Sequence, residues 1–483
     1  MKEKVTSHWF ILVILALAQF MVVLDVSIVN VMLPTVEKAF HLSVQNLQWI
    51  ITAYTLTFGG FLLLGGRAAD LFGRRRVFLA GVTVFTLASL ADGLSNSGGM
   101  LISLRAIQGL AGAFMSPAAL SIVLVTYKQG HERNTALSVW GAVAAGGAAV
   151  GVLLGGIITQ YLGWRWNFFI NVPIGIFVLI AATSVVKKHE NEEEYTSLDL
   201  PGAVSITGAL MSLVYGLVKA PTNGWTSHSS LTFFGISVVL IIFFIWNENR
   251  AKHPLMPLSI FKIRNLSAAN SIQLFTAAGL FSVFFFTTLY IQEILGYSPV
   301  KTGVSFLVIP VIIAISATNA PRLIQKVGYK PILVVAPLIT GLGLFMLGHL
   351  PVHGDYFRNL MPGLIVMGFG LGFTFVTVLV AATDGVAGHL SGLASGLVNT
   401  SQQIGGALGL AVLSGIAASA TARFIAHSHS VSQSTIVAAT VHGYRTGFQI
   451  AVLFSITASL IALIVIKQKN PKAKVDPTVA AGA

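Results

Sequence analysis

The chain has 483 residues, 55% of them hydrophobic and only 9% charged, with a mean hydropathy of +0.82 and a formal charge of +13. A soluble domain carries about a quarter charged residues, so this pool cannot cover a water-facing surface, whereas a lipid-facing one needs no polar cover. There is no cysteine, which excludes disulfides, thiolate metal sites and cysteine nucleophiles, and the histidines and acids suggest no metal site.

The excess of Lys and Arg sits in short loops between apolar runs. That is a topology signal and not the footprint of nucleic acid. Residues 1–8 are polar, and the run after them is too long for a signal peptide and lacks a small-residue cleavage site, so it reads as a retained first span. A crossing helix needs about 20 apolar residues. Runs long enough lie near 9–35, 46–66, 76–94, 99–125, 135–160, 166–186, 200–219, 230–247, 267–291, 302–320, 331–350, 359–381, 390–416 and 446–466. The expected fold is an all-α polytopic membrane protein with fourteen transmembrane helices. An even count puts both termini on one side. That side is the cytoplasm if the basic clusters Arg74 to Arg76, Lys187-Lys188, Arg250 to Arg264 and Lys467 to Lys474 obey the positive-inside rule.

Asp25 interrupts the first span, flanked by Val22-Val23-Leu24 and Val26 and nine residues before Pro34. A charge in hydrocarbon is costly and usually faces a cavity. A carboxylate tuned between desolvation and a nearby cation can load and release a proton, or pair with a cationic substrate. The alternative is a static ion pair. The loop from Gly66 through Asp70 to Gly73-Arg74-Arg75-Arg76 forms a candidate latch between helices, although the arginines alone would also fix topology. Asp92, like Glu293 in the ninth span, lies near an outer helix end, where it meets water or contacts substrate or proton.

Arg105 enters the fourth span from outside, six residues in. It cannot give up its proton, so it is a fixed counter-charge and not a carrier. Gln108 shares its face by 3–4 spacing. In the fifth span Gly147, Gly151 and Gly155, four apart and followed by Gly156, form a small-residue seam for close helix packing. Asn399, Gln402 and Gln403 precede a similar seam at Gly405-Gly406 and Gly409 in the thirteenth, where the amides join helices or contact substrate. Phe20, Tyr54, Trp140 and Gln273 are further candidates for a substrate cavity.

Residues 43–75 repeat at 298–330, aligning Ser43 with Ser298, Arg67 with Arg322 and Gly73 with Gly328. Two six-helix halves of the same orientation suit such a repeat. The expected organisation is an N-terminal six-helix bundle over 1–186 and a linker over 187–265 carrying two extra transmembrane helices. A C-terminal six-helix bundle with a cytoplasmic tail follows over 266–483. The stretch 187–199, with Glu190 and Glu192 to Glu194, reads as a solvated linker.

These segments resemble the major facilitator superfamily. Gly66 to Arg76 looks like its loop signature after the second helix, Leu101 to Gly112 its fourth-helix motif, and Gly147 to Gly156 its antiporter motif. Leu24-Asp25 through Leu33-Pro34 resembles the first-helix motif of drug exporters. Trp164 to Gly175, with His253-Pro254-Leu255, is close to signatures of the fourteen-helix drug:proton antiporter-2 family. The resemblance implies a proton-coupled multidrug exporter, monomeric, in the bacterial cytoplasmic membrane. It would be driven by the proton gradient without a cofactor, with small lipophilic substrates, protons and the bilayer as partners. It assigns coupling to Asp25 and Arg105 and a conformational latch to Asp70 and its arginines. Val152 stands where the antiporter motif usually has proline, and 390–416 lacks the acids of members that export dications, which points to monovalent or neutral substrates. The residues themselves leave open a proton-coupled importer or facilitator of a nutrient.

Overall fold

The computed structural model describes residues 2–127, 131–185, 199–224, 226–386, 390–428, 430 and 432–468. Most of the acidic stretch and of the basic tail singled out above lies outside them. Among the described residues fourteen helices are long and apolar enough to cross a membrane: α1 (Trp9–Phe40), α2 (Trp49–Phe72), α3 (Arg74–Gly93), α4 (Gly98–Thr126), α5 (Thr135–Tyr161), α6 (Trp166–Ser184), α7 (Leu200–Ala220), α8 (His228–Arg250), α9 (Arg264–Ile294), α10 (Pro299–Val327), α11 (Tyr329–Leu347), α12 (Tyr356–Thr383), α13 (Gly392–Ala426) and α14 (Gln433–Val465). Among the described residues there is no strand. In hydrocarbon a chain without strand partners can satisfy its backbone only as helix.

Several helices outrun their apolar runs. The first continues through Pro34 to Phe40, with Asp25 near the middle of the Trp9–Phe40 stretch. The thirteenth extends to Ala426, and the fourteenth starts at Gln433, where the Ser432 side chain accepts from the Thr435 amide. Their polar ends lie beyond the stretch that hydropathy marks. Ile170 divides α6, and Leu307 divides α10.

The repeat extends to three dimensions. Ser43 and Ser298 each cap a short helical segment by accepting from the amide three residues on. Gly73 and Gly328, at φ +93° and +82°, turn the chain into the next helix, a conformation that costs glycine nothing. In the first half α1 packs on α5, α2 on α4, and α3 on α4 and α6. In the second, α9 packs on α13, α10 on α12, and α11 on α12 and α14. The glycine seams carry the first of these pairs. A Cβ on Gly151 would press on Ser27 and the Leu24 carbonyl of α1, and one on Gly409 on Ala278 of α9.

The halves meet at the face away from Arg74–Arg76. One apolar cluster there draws Ile28, Met32 and Ile50 from the first half and Phe286, Phe306 and Leu413 from the second. Gln292 Nε2 donates to the Val31 carbonyl (2.7 Å), and the Val300 amide to Gln160 Oε1 (3.2 Å). Toward the basic face the apolar residues divide into two clusters, one in each half. Contact between α5 and α10 includes Val152–Gly303 and Gln160–Val300, about 12 Å apart along α5 at 1.5 Å per residue, and continues past Leu307 into the second segment of α10. Contact between α2 and α13 runs from Gln48–Ser414 to Leu63–Gly396, about 22 Å by the same rise. The extra helix α7 backs this second seam, with Leu210, Val214 and Val218 against Leu56 of α2 and Ala407 and Ala411 of α13. Its partner α8 is outermost and exposes Val239, Ile242 and Ile245. The pair is anchored at the basic face. Asp199 caps α7 through the Gly202 amide (2.8 Å) and accepts from Asn247 Nδ2 (2.7 Å) and the Leu255 amide (3.2 Å).

Candidate functional site

α1, α3, α4 and α6 enclose a polar cluster inside the first half. Arg105 of α4 and Asp25 of α1 form an ion pair, both side chains essentially inaccessible (1% and 0% exposed). Arg105 Nη1 also donates to Gln108 Oε1, and its Nε to the Ile50 carbonyl (3.1 Å). Gln108 Nε2 donates to Asp25 Oδ1 (2.9 Å) and to Ser89 Oγ of α3 (2.7 Å), while Asn171 Nδ2 of α6 reaches the same Oδ1 (3.2 Å). Both carboxylate oxygens are therefore engaged. The guanidinium lies over the Tyr54 ring, 4.4 Å from its centroid, which adds a cation–π contact.

Local sequence explains how backbones come close enough for this. A Cβ on Gly109 would strike the Tyr54 carbonyl and Thr57, and one on Gly112 would press on Phe58. Glycines at these positions let α4 lie against α2, which brings Arg105 to the Ile50 carbonyl. Burying an ion pair costs several kcal/mol per ion in desolvation, which attraction offsets only when the remaining donors and acceptors are matched. Here Gln108 supplies both a donor and an acceptor. Electrostatically the pair is neutral, and a proton arriving on Asp25 would release Arg105 as an unmatched cation. That is the elementary condition for a proton to drive rearrangement.

Of the sequence candidates, Asp25, Arg105, Gln108 and Tyr54 come together. Ser89, Asn171 and the Ile50 carbonyl belong to the same cluster and were not anticipated there. Asn171 stands in the Asn167–Asn171 segment singled out only as a signature, and Ser89 carried no signal. Phe20 lies with Trp9, Leu12 and Val143 along an apolar cleft between α1 and α5. Trp140 is buried with the first-half apolar cluster. In the second half Gln273 of α9 is buried, its Oε1 lacking a protein partner, and Thr276 Oγ1 one turn on is the same. Gln403 packs against Gly59 of α2, Asn399 is exposed, and Glu293 lies at the end of α9 facing Glu37 of α1.

The expected loop from Gly66 to Arg76 is helical except at Gly73, because α2 continues to Phe72 and α3 begins at Arg74; Asp70 in the last turns of α2 accepts from Arg74 Nη2 (3.3 Å), both partly exposed. Arg75 Nη2 donates to the Thr183 carbonyl of α6 (2.6 Å), and Arg67 to the Pro254 carbonyl beyond α8. Gly66 approaches Pro117 of α4. This segment thus ties α2, α3, α6 and the extra pair together at the face where the halves part. In α5, Gly147, Gly151 and Gly155 face α1, while Gly156 faces Pro299 and Val300 of α10. One helix thus carries an intra-half seam and an inter-half seam side by side.

A family model described as the Major Facilitator Superfamily matches residues 15–410. The chain is 38% identical to the puromycin resistance protein pur8 of Streptomyces alboniger, over 96% of this chain and 93% of that protein. It is 35% identical to the tetracenomycin C resistance and export protein of Streptomyces glaucescens, covering 85% and 76%, and 31% identical to the multidrug resistance protein Stp of Mycobacterium tuberculosis, covering 84% and 75%. Among solved structures the POT family transporter PepTSo superposes with a TM-score of 0.68 at 14% identity, covering 95% of this chain and 97% of that one. A bacterial homologue of the human lysosomal transporter Spinster gives 0.67 at 13%, with the same coverage. At such identities these two report the fold alone.

Proposed function

The chain belongs to the Major Facilitator Superfamily, and on that premise we propose that it is a proton-coupled antiporter exporting lipophilic compounds, monovalent cations or neutral molecules, from a bacterial cell. The observation that carries the reading is the buried Asp25–Arg105 pair, matched by Gln108 and Asn171 inside a membrane-spanning bundle. The export and resistance roles printed for its relatives supply the direction. The lack of acids in residues 390–416 argues against dications.

The cycle is alternating access between two halves that rock about a central path. With the Arg74–Arg76 face in the cytoplasm, both termini are cytoplasmic. Substrate enters from the cytoplasmic side, and the outer seam of α5 with α10 then parts. A proton from outside neutralises Asp25, frees Arg105 from it and favours return. The proton leaves to the cytoplasm as the ion pair re-forms. The proton gradient supplies the energy, without a bound cofactor, and the unit is one chain. Asp70 and Arg74 to Arg76 hold the cytoplasmic ends in one arrangement or the other.

Ethidium accumulation in a host lacking its own efflux pumps tests this. Cells making the wild type accumulate less dye, an uncoupler abolishes the difference, and Asp25→Asn abolishes it without uncoupler. Uptake raised by the wild type would identify an importer. Undiminished dye/proton exchange by Asp25→Asn would remove Asp25 from the mechanism.

A further inference from the structure

One carboxylic acid beside the ion pair has no role in that cycle. Asp92 of α3 lies one turn along the same helix from Ser89, whose hydroxyl accepts from Gln108. It is 0% exposed, and neither carboxylate oxygen has a hydrogen-bond partner. The charged groups acting on it are Arg105 of α4 and Asp25 of α1. On α2 the Tyr54 ring lies under Arg105. α6, which packs on α3, carries Asn167 and Asn171, each with a buried unpartnered amide oxygen. Arg165, before α6, turns its guanidinium to the Ser95 carbonyl and the Trp164 ring.

Two buried acids thus share one buried cation, and the cation is committed to Asp25. An isolated buried carboxylate costs far more than a protonated one, and each oxygen without a donor forfeits what would stabilise a charge. We propose that Asp92 is a second proton-binding carboxyl of the coupling site, holding a proton while Arg105 is paired with Asp25. The antiport reading assigns a single proton carrier; Asp92 adds another, at the outer end of α3. Such acids titrate as a pair, so that protonating one biases the other. When a proton from outside reaches Asp25 and frees Arg105, the guanidinium becomes available to Asp92, which then releases its own proton to the cytoplasm once the carrier faces inward; both protons enter from outside and leave inside, so Asp92 adds to the inward proton flux.

The proposal rests on the antiport reading for its role, but the protonation state does not. Infrared difference spectra of the purified protein between acid and alkaline pH read the carbonyl stretch of a protonated buried acid without any substrate. We expect that band in the wild type at neutral pH, its loss in Asp92→Asn, its return in Asp92→Glu and its weakening in Asp25→Asn, where Arg105 is left free to pair with Asp92. In proteoliposomes, protons moved per drug molecule fall in Asp92→Asn and recover in Asp92→Glu, while drug binding is unchanged. A neutral-pH band that survives in Asp92→Asn, or an unaltered proton-to-drug ratio in that variant, overturns the proposal. A wild type that moves no protons with drug would refute the antiport reading, and the infrared band in that same protein still decides for or against a protonated Asp92.

Discussion

Replacing Asp25 by Asn and Arg105 by Gln, singly and together, measures what the ion pair contributes. Removing one member of a buried pair strands the other and costs about 3–5 kcal/mol. In Asp25→Asn the guanidinium keeps the Ile50 carbonyl, Gln108 Oε1 and the Tyr54 face, which places the loss near about 3 kcal/mol. In Arg105→Gln the carboxylate keeps only the neutral donors of Gln108 and Asn171, which places it near about 5 kcal/mol. The double variant buries no charge at this pair and should cost about 5 kcal/mol, not the 8 or so that addition gives. The coupling energy is then about 3 kcal/mol, at the top of the range for residues in contact. Denaturant titrations in mild detergent supply the four free energies. A cycle that closes to within about 0.5 kcal/mol of additivity would show that the two charges do not depend on each other.

Gly156→Ala puts a methyl group against the Pro299 and Val300 backbone across the outer seam. Overpacking of this kind costs about 1–3 kcal/mol in the closed-seam state only, shifting the population toward the parted state by about 5–150-fold. Distances between spin labels at Tyr161→Cys and Val304→Cys, on exposed flanks of the seam, report the shift, and the absence of native cysteines leaves the labels unambiguous. An unchanged distance distribution would refute the seam as a gate. Asp199→Ala removes an N-cap and should cost about 0.5–2 kcal/mol, read as earlier unfolding in detergent. Burial pushes the Asp199 carboxyl up, but hydrogen bonds from Gly202, Asn247, Glu248 and Leu255 outweigh it and hold the group below its ordinary value. Its contribution is therefore present above the ordinary carboxylate range and is lost as pH falls through the lowered value. Acid sensitivity should flatten in Asp199→Asn, and an identical pH profile would count against the assignment.

The helix count was legible because hydrocarbon thickness sets a minimum apolar length. Asp25 and Arg105 stood out because charge is so rare in such runs. The boundaries were less legible where helix continues past the apolar stretch. Nothing in hydropathy distinguishes the polar turns of 417–426 and 433–445 from loop, since outside hydrocarbon a helix need not be apolar. The cluster was half visible. The 3–4 spacing of Arg105 and Gln108 is a local fact, whereas Ser89 and Asn171 reach Asp25 only through packing of α3 and α6. The Ile50 carbonyl, a backbone group, has no residue-type signature at all. The repeat was detectable over one helix and its loop, because identical turn and cap chemistry preserves residue type. The remaining five helices of each half share only a packing pattern, which many apolar sequences satisfy.

The extra pair α7–α8 makes the two long flanks of the molecule unequal. On one, α7 lies across α2 and α13 and covers a contact that spans most of the helix length. On the other, α5 and α10 are in contact without a covering helix from the extra pair, and the apolar cleft of Trp9, Leu12, Phe20 and Val143 lies between α1 and α5. On the proposed export reading, a greasy molecule dissolved in the adjacent leaflet would meet that cleft on one flank and α7 on the other. Substrate partitioning into lipid, and not its concentration in water, would then set how often the transporter is loaded.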